Sequence, residues 1–318
     1  MLIPAGKSAR MTAVIVLASA AVYAQDASYP IKPVRIVSNA AGGGSDFVAR
    51  LIAPKLSEAL GQQFVIDNRG AISAEIVARS APDGYTLHAN GPPLWVTPLL
   101  RPAPYDAVKD FALIIMAVST PSILCVHPLL RVKSVRDLIA LAKARPGQLN
   151  YAAGTIGAAP HMAAELFKSM AGVDIVRVPY KGSGPALVGL ITGEAQIMFP
   201  AASGIEYIKQ GKIRALAVGS HERSPLLPGI PTIAESGVPG YESASPQGLF
   251  APAKTPSAII ARLNQEVARI LTAPELKERL FSTGVQVIAS SPEAFGAAIR
   301  ADIARTSKLI KTAGIKTE

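Results

Sequence analysis

The chain has 318 residues, of which 32 are Lys or Arg and 22 are Asp or Glu, so its formal charge at pH 7 is +10. The basic residues are scattered, without runs or interleaved aromatic residues, which argues against a nucleic-acid-binding surface. A single cysteine, Cys125, excludes a disulfide within the chain.

The N-terminal segment is typical of an export signal. Lys7 and Arg10 form a basic start, and residues 11–22 are uncharged and mostly apolar. Residues 22–24, Val-Tyr-Ala, place small side chains where a signal peptidase cleaves. We therefore expect residues 1–24 to be removed and the mature protein to be periplasmic. The alternative is an N-terminal membrane tether, which the short apolar run disfavours.

Short β-rich runs alternate with helical patterns along the rest of the chain. This alternation predicts the α/β class, in which sheets with parallel strands are covered by helices. Cys125 lies within one of the runs and is expected to be a small core residue. The predicted strands are 34–37, 64–67, 85–89, 122–126, 149–153, 175–180, 195–199, 213–218 and 285–289.

Several helices have recognisable starts. Ser134 is expected to cap a helix over 135–144, and Pro256 and Pro292 are expected to stand at the start of two later helices. Apolar residues at helical spacing predict one buried face on each of these later helices. They are Ile259, Leu263, Val267, Ile270, Phe295, Ile299 and Ile303.

Two stretches are typical of passages between domains, 116–122 and 237–256, and the second is rich in Gly, Pro and Ser. If the chain crosses at both, one domain is inserted into the other. We predict that residues 25–120 and 247–318 form lobe 1 and that residues 121–246 form lobe 2.

The motifs of common enzymes are absent from the sequence. It has no G-x-S-x-G, no G-x-x-x-x-G-K-[ST] and no G-x-G-x-x-G, because the glycines at 42–44 have the wrong spacing. The four histidines are isolated from one another, and no cluster has metal-ligand spacing. We predict a protein that is not an enzyme and that uses no metal or cofactor. A catalytic pair assembled from distant positions is the alternative.

The stretch NAAGGGSDFVAR (39–50) joins the first predicted strand to a helix. Its three glycines allow the backbone to approach a ligand closely, and the N–H groups of a helix start can hold an anion. Ser45 and Asp46 are expected to cap the helix. A glycine turn that only serves strand–helix packing is the alternative. The residues expected to face the core are Phe47, Leu51, Leu56 and Leu60.

Two later stretches repeat the order of strand, small-residue turn and helix start. They are NYAAGTIGAAPH (150–161) and YKGSGP (180–185), in which Ser183 is expected to be a cap. In open α/β sheets ligands bind at the carboxyl ends of strands, so the three turns should meet at one cleft. Helix starts from two lobes would bind a carboxylate or another small oxyanion. The alternatives are ordinary connections, a packed His161 and a solvated Lys181.

A family resemblance covers nearly the whole mature chain. It is carried in order by YPIKPVRIV (29–37), GGGSDFVARLIAPKLSEALGQ (42–62), APDGYTL (81–87), YDAVKDF (105–111), YAAGTIGAAPHMAAELFKSMAGVDIVRVPYKGSGPAL (151–187), GKIRALAV (211–218), PGIPTIAESGVPGYE (228–242) and GLFAPAKTP (248–256). With these stretches the chain resembles the substrate-binding proteins of tripartite tricarboxylate transporters, the Bug family. The resemblance implies a two-lobed periplasmic-binding-protein (Venus flytrap) fold, in which each lobe is a mixed sheet flanked by helices. It also implies a cleft that binds small carboxylates through main-chain amides and bridging waters.

The resemblance further implies which residues bind the ligand. They lie in the first-lobe turn, at the second-lobe helix start, in the turn beside it and at the end of the strand at 195–199. These residues are Ala40, Ala41, Gly42, Gly43, Gly44, Ser45, Asp46, Thr155, Gly157, Ala158, His161, Lys181, Gly182, Ser183 and Pro200.

The chain departs from the family pattern at three places. The connection after Arg69 is shorter, Pro200 stands where relatives often carry an aspartate, and Ala158 and Ala159 replace serines. A wider pocket is therefore expected, with recognition by backbone and shape. Without the aspartate, an amine on the ligand has no partner, which favours plain or aromatic carboxylates over amino acids.

Together these features predict a monomeric extracytoplasmic receptor that captures a small organic carboxylate between two lobes. Its expected partners are the membrane permease subunits of a tripartite tricarboxylate-type transporter, and nucleic acid is not among them. A ligand sensor subunit for a signalling protein is the main alternative, and an extracytoplasmic enzyme acting on a small carboxylate is the other.

Overall fold

The structure is a computed structural model that describes residues 29–154, 156–313 and 315. The predicted signal peptide, residues 1–24, and the predicted ligand residue Thr155 lie outside the described residues. Across the described ranges, no helix combines the length and the apolar character needed to cross a membrane.

Eleven strands and ten helices form the described part of the chain. The strands are β1 (Val34–Ser38), β2 (Phe64–Asn68), β3 (Thr86–Asn90), β4 (Phe111–Pro121), β5 (Ile123–Val126), β6 (Asn150–Ala153), β7 (Val176–Pro179), β8 (Ile197–Met198), β9 (Arg214–Val218), β10 (Ala244–Pro252) and β11 (Gln286–Val287). The helices are α1 (Gly44–Leu60), α2 (Ser73–Ala78), α3 (Pro93–Leu100), α4 (Val135–Ala144), α5 (Ala159–Ala171), α6 (Ser183–Thr192), α7 (Ile205–Lys209), α8 (Ser257–Thr272), α9 (Pro274–Ser282) and α10 (Pro292–Ala313).

The strands form two separate mixed sheets. The first has the order β11-β4-β10-β3-β1-β2, and the second has the order β7-β6-β8-β5-β9. In the first sheet β1 is parallel to β2 and β3, whereas β10 is antiparallel to β3 and β4. In the second, β6 is parallel to β7 and β8, and β5 is antiparallel to β8 and β9. Each sheet with its packed helices is one lobe, so the predicted two-lobed fold is confirmed.

Apolar side chains cover both faces of each sheet. In lobe 1, Ile36 and Leu263 are buried in the cluster on one face, and Phe250 and Phe295 in the cluster on the other. Lobe 2 has the same arrangement, with Cys125 fully buried as expected. Burial on both faces explains why the strands are apolar runs rather than alternating patterns.

The two longest strands, β4 and β10, lie where the sequence predicted crossovers. They pair antiparallel along their length, from Ala244 opposite Pro121 to Pro252 opposite Phe111. Because β10 contains proline and glycine, it was not predicted as a strand. Pro246 has no N–H to donate, but it lies before the segment of β10 that pairs with β3, so no hydrogen bond to β3 is lost. A register shift between Gln247 and Gly248 takes up the irregularity.

The chain passes between the sheets next to the pairing of β4 with β10. Ser122 N–H donates to the Ser243 carbonyl at 3.2 Å, and the two hydroxyl groups are hydrogen-bonded to each other. Gly219 joins them, because its N–H donates to the Ser122 carbonyl at 2.7 Å. We call Ser122, Gly219 and Ser243 the crossover cluster. The predicted lobe boundaries, 120/121 and 246/247, stay a prediction, although β10 as a whole belongs to the first sheet.

The helix predictions were confirmed where one local side chain decides the start. Ser134 Oγ accepts from Asp137 N–H at 3.1 Å and caps α4, and the predicted faces of α8 and α10 are buried or partly buried. The expected caps Ser45, Asp46 and Ser183 were wrong. The helices α1 and α6 begin one residue after Gly43 and Gly182, whose backbones take the cap position without a side-chain bond.

Candidate ligand-binding cleft

A cavity of about 300 Å³ lies between the two lobes. We call it the neutral cavity, because no described residue in its wall carries a charge. The wall contributed by lobe 1 consists of Gly42, Gly43, Gly44, Phe47, Val118, Thr120, Ser245, Gln247, Thr283 and Val285. The wall contributed by lobe 2 consists of Pro160, Ser183, Pro200, Ala201, Ala202 and Ser203.

Three helices begin at the wall of the neutral cavity. Gly44 is the first residue of α1, Pro160 lies in the first turn of α5, and Ser183 is the first residue of α6. The first amides of a helix have no acceptor within the helix, and the aligned peptide dipoles place partial positive charge there. The cavity is therefore suited to an anion although its wall has no cationic side chain.

The first-lobe turn, residues 39–43, is anchored by Asp46. This side chain is 3 % exposed, and its oxygens accept from Gly42 N–H at 2.9 Å, Arg50 Nε at 2.9 Å and Asn68 Nδ2 at 2.8 Å. Burial by itself would raise the pKa of Asp46, but these hydrogen bonds together hold the pKa below its usual value. The carboxylate is therefore directed into the protein, where it fixes the turn, and its charge is compensated by Arg50.

A second chain of hydrogen bonds supports the same turn from the sheet. Asn39 Nδ2 donates to Asn90 Oδ1 at 2.8 Å, and Ser73 Oγ donates to Asn39 Oδ1 at 2.7 Å. Asn90 Nδ2 lies 2.6 Å from His88 Nε2, so His88 carries its proton on Nδ1 and donates to the Val37 carbonyl at 3.1 Å. Burial lowers the pKa of His88 to about 4, so the imidazole is neutral at pH 7.

The second-lobe turn is held by close backbone packing. A Cβ on Gly154 would lie 2.7 Å from the Gly182 carbonyl carbon, so only glycine allows the turns before α5 and α6 to touch. Gly157 has φ +77° and lies against Val96 of α3, which belongs to lobe 1. The second-lobe turn therefore contacts both α6 in its own lobe and α3 across the cleft.

His161 supports this turn from below. Its Nδ1 accepts from Gly157 N–H at 3.2 Å, and the side chain is buried. Burial, together with the nearby charges of Arg177 and Lys168, lowers its pKa to about 4, although Glu165 opposes this shift. A neutral imidazole that accepts from the main chain is a structural support, and His161 does not line the neutral cavity.

Gln247 of β10 joins the floor of the cleft to the first-lobe turn. The residue is 8 % exposed, and a Cβ on Gly44 would lie 3.0 Å from its carboxamide. Its Nε2 donates to Ser245 Oγ at 3.0 Å, and both residues line the neutral cavity. The start of α1 therefore lies directly against the strand that crosses between the lobes.

The structure brings some of the predicted ligand residues to the neutral cavity and leaves others beside it. Gly42, Gly43, Gly44, Ser183 and Pro200 line it. Ala40 and Lys181 line a second cavity, described below. The remaining described ones are exposed in the first-lobe turn, buried in the first turn of α1, located in the turns before α5 and α6, or buried in α5: Ala41, Ser45, Asp46, Gly157, Ala158, Gly182 and His161.

Several residues that line the neutral cavity were not predicted from the sequence. Thr120, Ser245 and Gln247 lie in the stretches predicted as crossovers, and a crossover at the base of a cleft was the available signal. The expectation that Phe47 faces the core was wrong, because it is 43 % exposed and lines the neutral cavity. Thr283 and Val285 follow α9, and although Val285 begins a predicted strand, no pattern in the sequence indicated that either residue lines the cleft.

Metal chemistry finds no support in the described ranges, where no three His, Cys, Asp or Glu side chains lie together as ligands would.

The family model that matches the chain is described as "Tripartite tricarboxylate transporter family receptor", and it matches residues 48–315. This range includes both sheets except β1, and all helices except the first turn of α1. The match therefore covers the fold as a whole.

Three solved structures resemble the chain closely. A Rhodopseudomonas palustris protein solved with adipate is 40 % identical, has a TM-score of 0.87, and covers 91 % of this chain and 100 % of its own. MatC from the same species, solved with bound malate, is 30 % identical with a TM-score of 0.83 and covers 89 % and 100 %. The periplasmic binding protein BugD is 30 % identical with a TM-score of 0.84 and covers 91 % and 100 %.

Proposed function

The chain belongs to the family of tripartite tricarboxylate transporter receptors, and from that premise we propose that it is a periplasmic solute receptor that captures a small organic carboxylate in the neutral cavity. Relatives solved with adipate and malate support a carboxylate as the ligand class. The proposed partners are the carboxylate and the permease subunits of a tripartite transporter, and the receptor acts as a monomer.

The observation that carries the proposal is the wall of the neutral cavity. Its described residues are uncharged, yet the first turns of three helices contribute residues to it. A carboxylate there accepts hydrogen bonds from amides at Gly44 and Ser183 without an ion pair. A ligand that bonds to both lobes binds the closed arrangement more tightly than the open one, and so shifts the population toward closure.

Receptor function is favoured over catalysis by the surroundings of the titratable groups. Asp46 is committed to the first-lobe turn, and His161 is committed to Gly157. Neither lines the neutral cavity, so no described acid or base reaches a ligand there. A sensor that presents its closed form to a signalling protein would have the same cleft, and co-purification of the membrane partner distinguishes the two.

Pro200 narrows the ligand class. Its side chain is buried at the lobe 2 wall, and its ring can only make apolar contacts. A ligand amine near this wall would lose its hydration without gaining a carboxylate partner. Plain carboxylates are therefore preferred to amino acids.

Thermal unfolding of the chain from Gln25 onward, with a panel of mono-, di- and tricarboxylates, tests the proposal. A ligand at about one hundred times its Kd adds ~2.7 kcal/mol to the free energy of unfolding, a shift of a few degrees for a protein of this size. One carboxylate class is expected to raise Tm. Unchanged Tm across the panel for well-folded protein would overturn the proposal.

Gly43 offers a matched pair of variants for this experiment. It is the N-cap of α1 with φ −84°, and a Cβ there lies 3.4 Å from the Ala40 carbonyl oxygen, so an aspartate or asparagine fits. Both are good N-caps. Gly43→Asp places a carboxylate beside the bound anion and should weaken binding about 100-fold, whereas Gly43→Asn should retain it. If both variants bind the carboxylate equally, the ligand does not lie at the start of α1.

A further inference from the structure

A second cavity, of about 360 Å³, adjoins the neutral cavity between the lobes. Ala40 and Lys181 line it, and each stands two positions before a residue that lines the neutral cavity, Gly42 and Ser183. Because two residues of chain span at most about 7 Å, the two cavities are close neighbours along both turns. One ligand can therefore extend from one into the other.

Unlike the neutral cavity, the second cavity is lined by positively charged side chains. Arg101 and Lys181 both line it, and no Asp or Glu does. We therefore call it the cationic cavity. Within the described part of the chain, no carboxylate lies within 4.0 Å of either cation, whereas Arg50 and Arg69 at the same side of lobe 1 are both paired.

The carboxamides and the serine in this wall are bonded to one another. Asn39 is bonded to Asn90, and Ser73 is bonded to Asn39. A ligand entering the cationic cavity thus meets two cations that have no protein partner, one from each lobe.

We propose that Arg101 and Lys181 form a distal subsite that binds a second anionic group of the ligand, so that dicarboxylates are preferred to monocarboxylates of equal length. This rests on the proposed function, in which the first carboxylate lies at the starts of α1 and α6. The methylene chain between the two carboxylates lies along the first-lobe turn. Because the subsite takes one cation from each lobe, the second carboxylate also favours closure.

Binding of adipate and hexanoate tests the subsite, since both have six carbons and differ in one carboxylate. Calorimetry on the chain from Gln25 onward is expected to give about tenfold tighter binding of adipate, because ion pairs with two exposed cations are weakened by solvent. In Arg101→Gln/Lys181→Gln, adipate should weaken to the affinity of hexanoate, and hexanoate binding should not change. Lys143→Gln/Lys209→Gln, which changes two exposed lysines of lobe 2 outside both cavities, controls for the loss of two positive charges.

The outcomes separate the subsite from the function. If neither acid binds and the wider carboxylate panel also leaves Tm unchanged, the proposed function fails. If both bind equally to the unmodified protein, or if the double variant weakens both equally, the receptor function stands and the distal subsite is wrong. Since Arg101 and Lys181 are exposed, the unliganded Tm of Arg101→Gln/Lys181→Gln should match that of Lys143→Gln/Lys209→Gln.

Discussion

The two turns that face the neutral cavity each hold a helix start in place, but different kinds of contact fix them. The lobe 1 turn is fixed by side chains, chiefly Asp46, Asn68 and Asn39, which bond to its backbone and to one another. The lobe 2 turn is fixed by backbone contact between Gly154 and Gly182. Each turn also has one buried neutral histidine in its support, His88 in lobe 1 and His161 in lobe 2.

The difference shows that an amide site needs rigid backbone more than it needs particular side chains. Where the turn is glycine-rich and exposed, as at Gly42, a polar network supplies the rigidity. Where two turns can touch, as at Gly154, shape alone supplies it. Preorganised amides cost little to arrange when the ligand arrives, which is how a wall without charges binds an anion.

The largest expected effect is a loss of stability at acidic pH, caused by the neutral histidines that support both turns. The pKa of His88 and that of His161 fall from 6.5 to about 4 on folding, so between these pH values the unfolded chain binds protons that the folded chain does not. The stability is complete above about pH 6.5 and decreases as pH falls toward 4, by up to ~1.4 kcal/mol per pH unit for each histidine.

Urea unfolding at pH 7, 6 and 5 measures this slope. His161→Gln and His88→Gln should each remove about half of it, whatever their stability at pH 7. A slope that neither variant changes would mean that other groups account for the acid sensitivity.

The next prediction breaks the polar network of lobe 1. Asp46→Ala removes the acceptor of three hydrogen bonds and should lower the free energy of unfolding by about 2 kcal/mol, because bonds to buried charged groups are the strong ones. It should also weaken carboxylate binding, since the Gly42 turn loses its anchor. Chemical unfolding and calorimetry measure the two effects.

Asp137 is the matched control for Asp46. Its Oδ2 accepts from Lys133 N–H at 2.9 Å, the same four-residue spacing as Asp46 to Gly42, but Asp137 is exposed and far from both cavities. Asp137→Ala should cost less stability and leave binding intact. Equal losses would mean that the spacing, rather than burial in the network, determines the effect.

The corresponding prediction for lobe 2 is smaller. Gly154→Ala forces a Cβ to within 2.7 Å of the Gly182 carbonyl carbon, so the two turns must separate, at a cost of about 1–2 kcal/mol and with weaker ligand binding. Gly184→Ala, where nothing lies within 4 Å, should be neutral or slightly stabilising in the first turn of α6. If Gly154→Ala binds ligand normally, contact between the turns is not required.

The smallest expected effect is a difference in the salt dependence of binding between the neutral cavity and the cationic cavity. Because the wall of the neutral cavity holds no charged side chain, raising the salt concentration tenfold should change the Kd for hexanoate by less than about twofold. The Kd for adipate should rise more, since Arg101 and Lys181 are open to screening. Equal salt dependence for the two acids would contradict a charged distal subsite.

The sequence was most informative where a structural rule is local. Ser134 caps α4 as its position predicts, and the apolar spacing of α8 and α10 predicted their buried faces. Asp46 could not be predicted in the same way. It accepts a hydrogen bond from Asn68 at the end of β2, and no local sequence pattern contains that contact. The glycine turns were recognised as anion sites, but the contact of Gly154 with Gly182 depends on the packing of α5 beside α6.

The strands β4 and β10 were not predicted, and for β10 the reason is again that the deciding contacts are not local. Pro246 and Gly248 are unfavourable strand residues in isolation, and the stretch around them has the composition of a linker. Pairing along the whole of β4 overrides that preference. With these strands missed, Thr120 and Gln247 were missed as cavity residues too.

The crossover cluster has a mechanical consequence for the proposed closure. Ser122, Gly219 and Ser243 bind the two passages side by side, so the lobes can turn about a narrow pivot but cannot easily slide apart. Gln247, a few residues along the same strand, lies against the start of α1. A ligand bound at the start of α1 would therefore act close to this pivot, so a small rotation of the lobes would give a larger displacement at their far rims, where a membrane partner would bind.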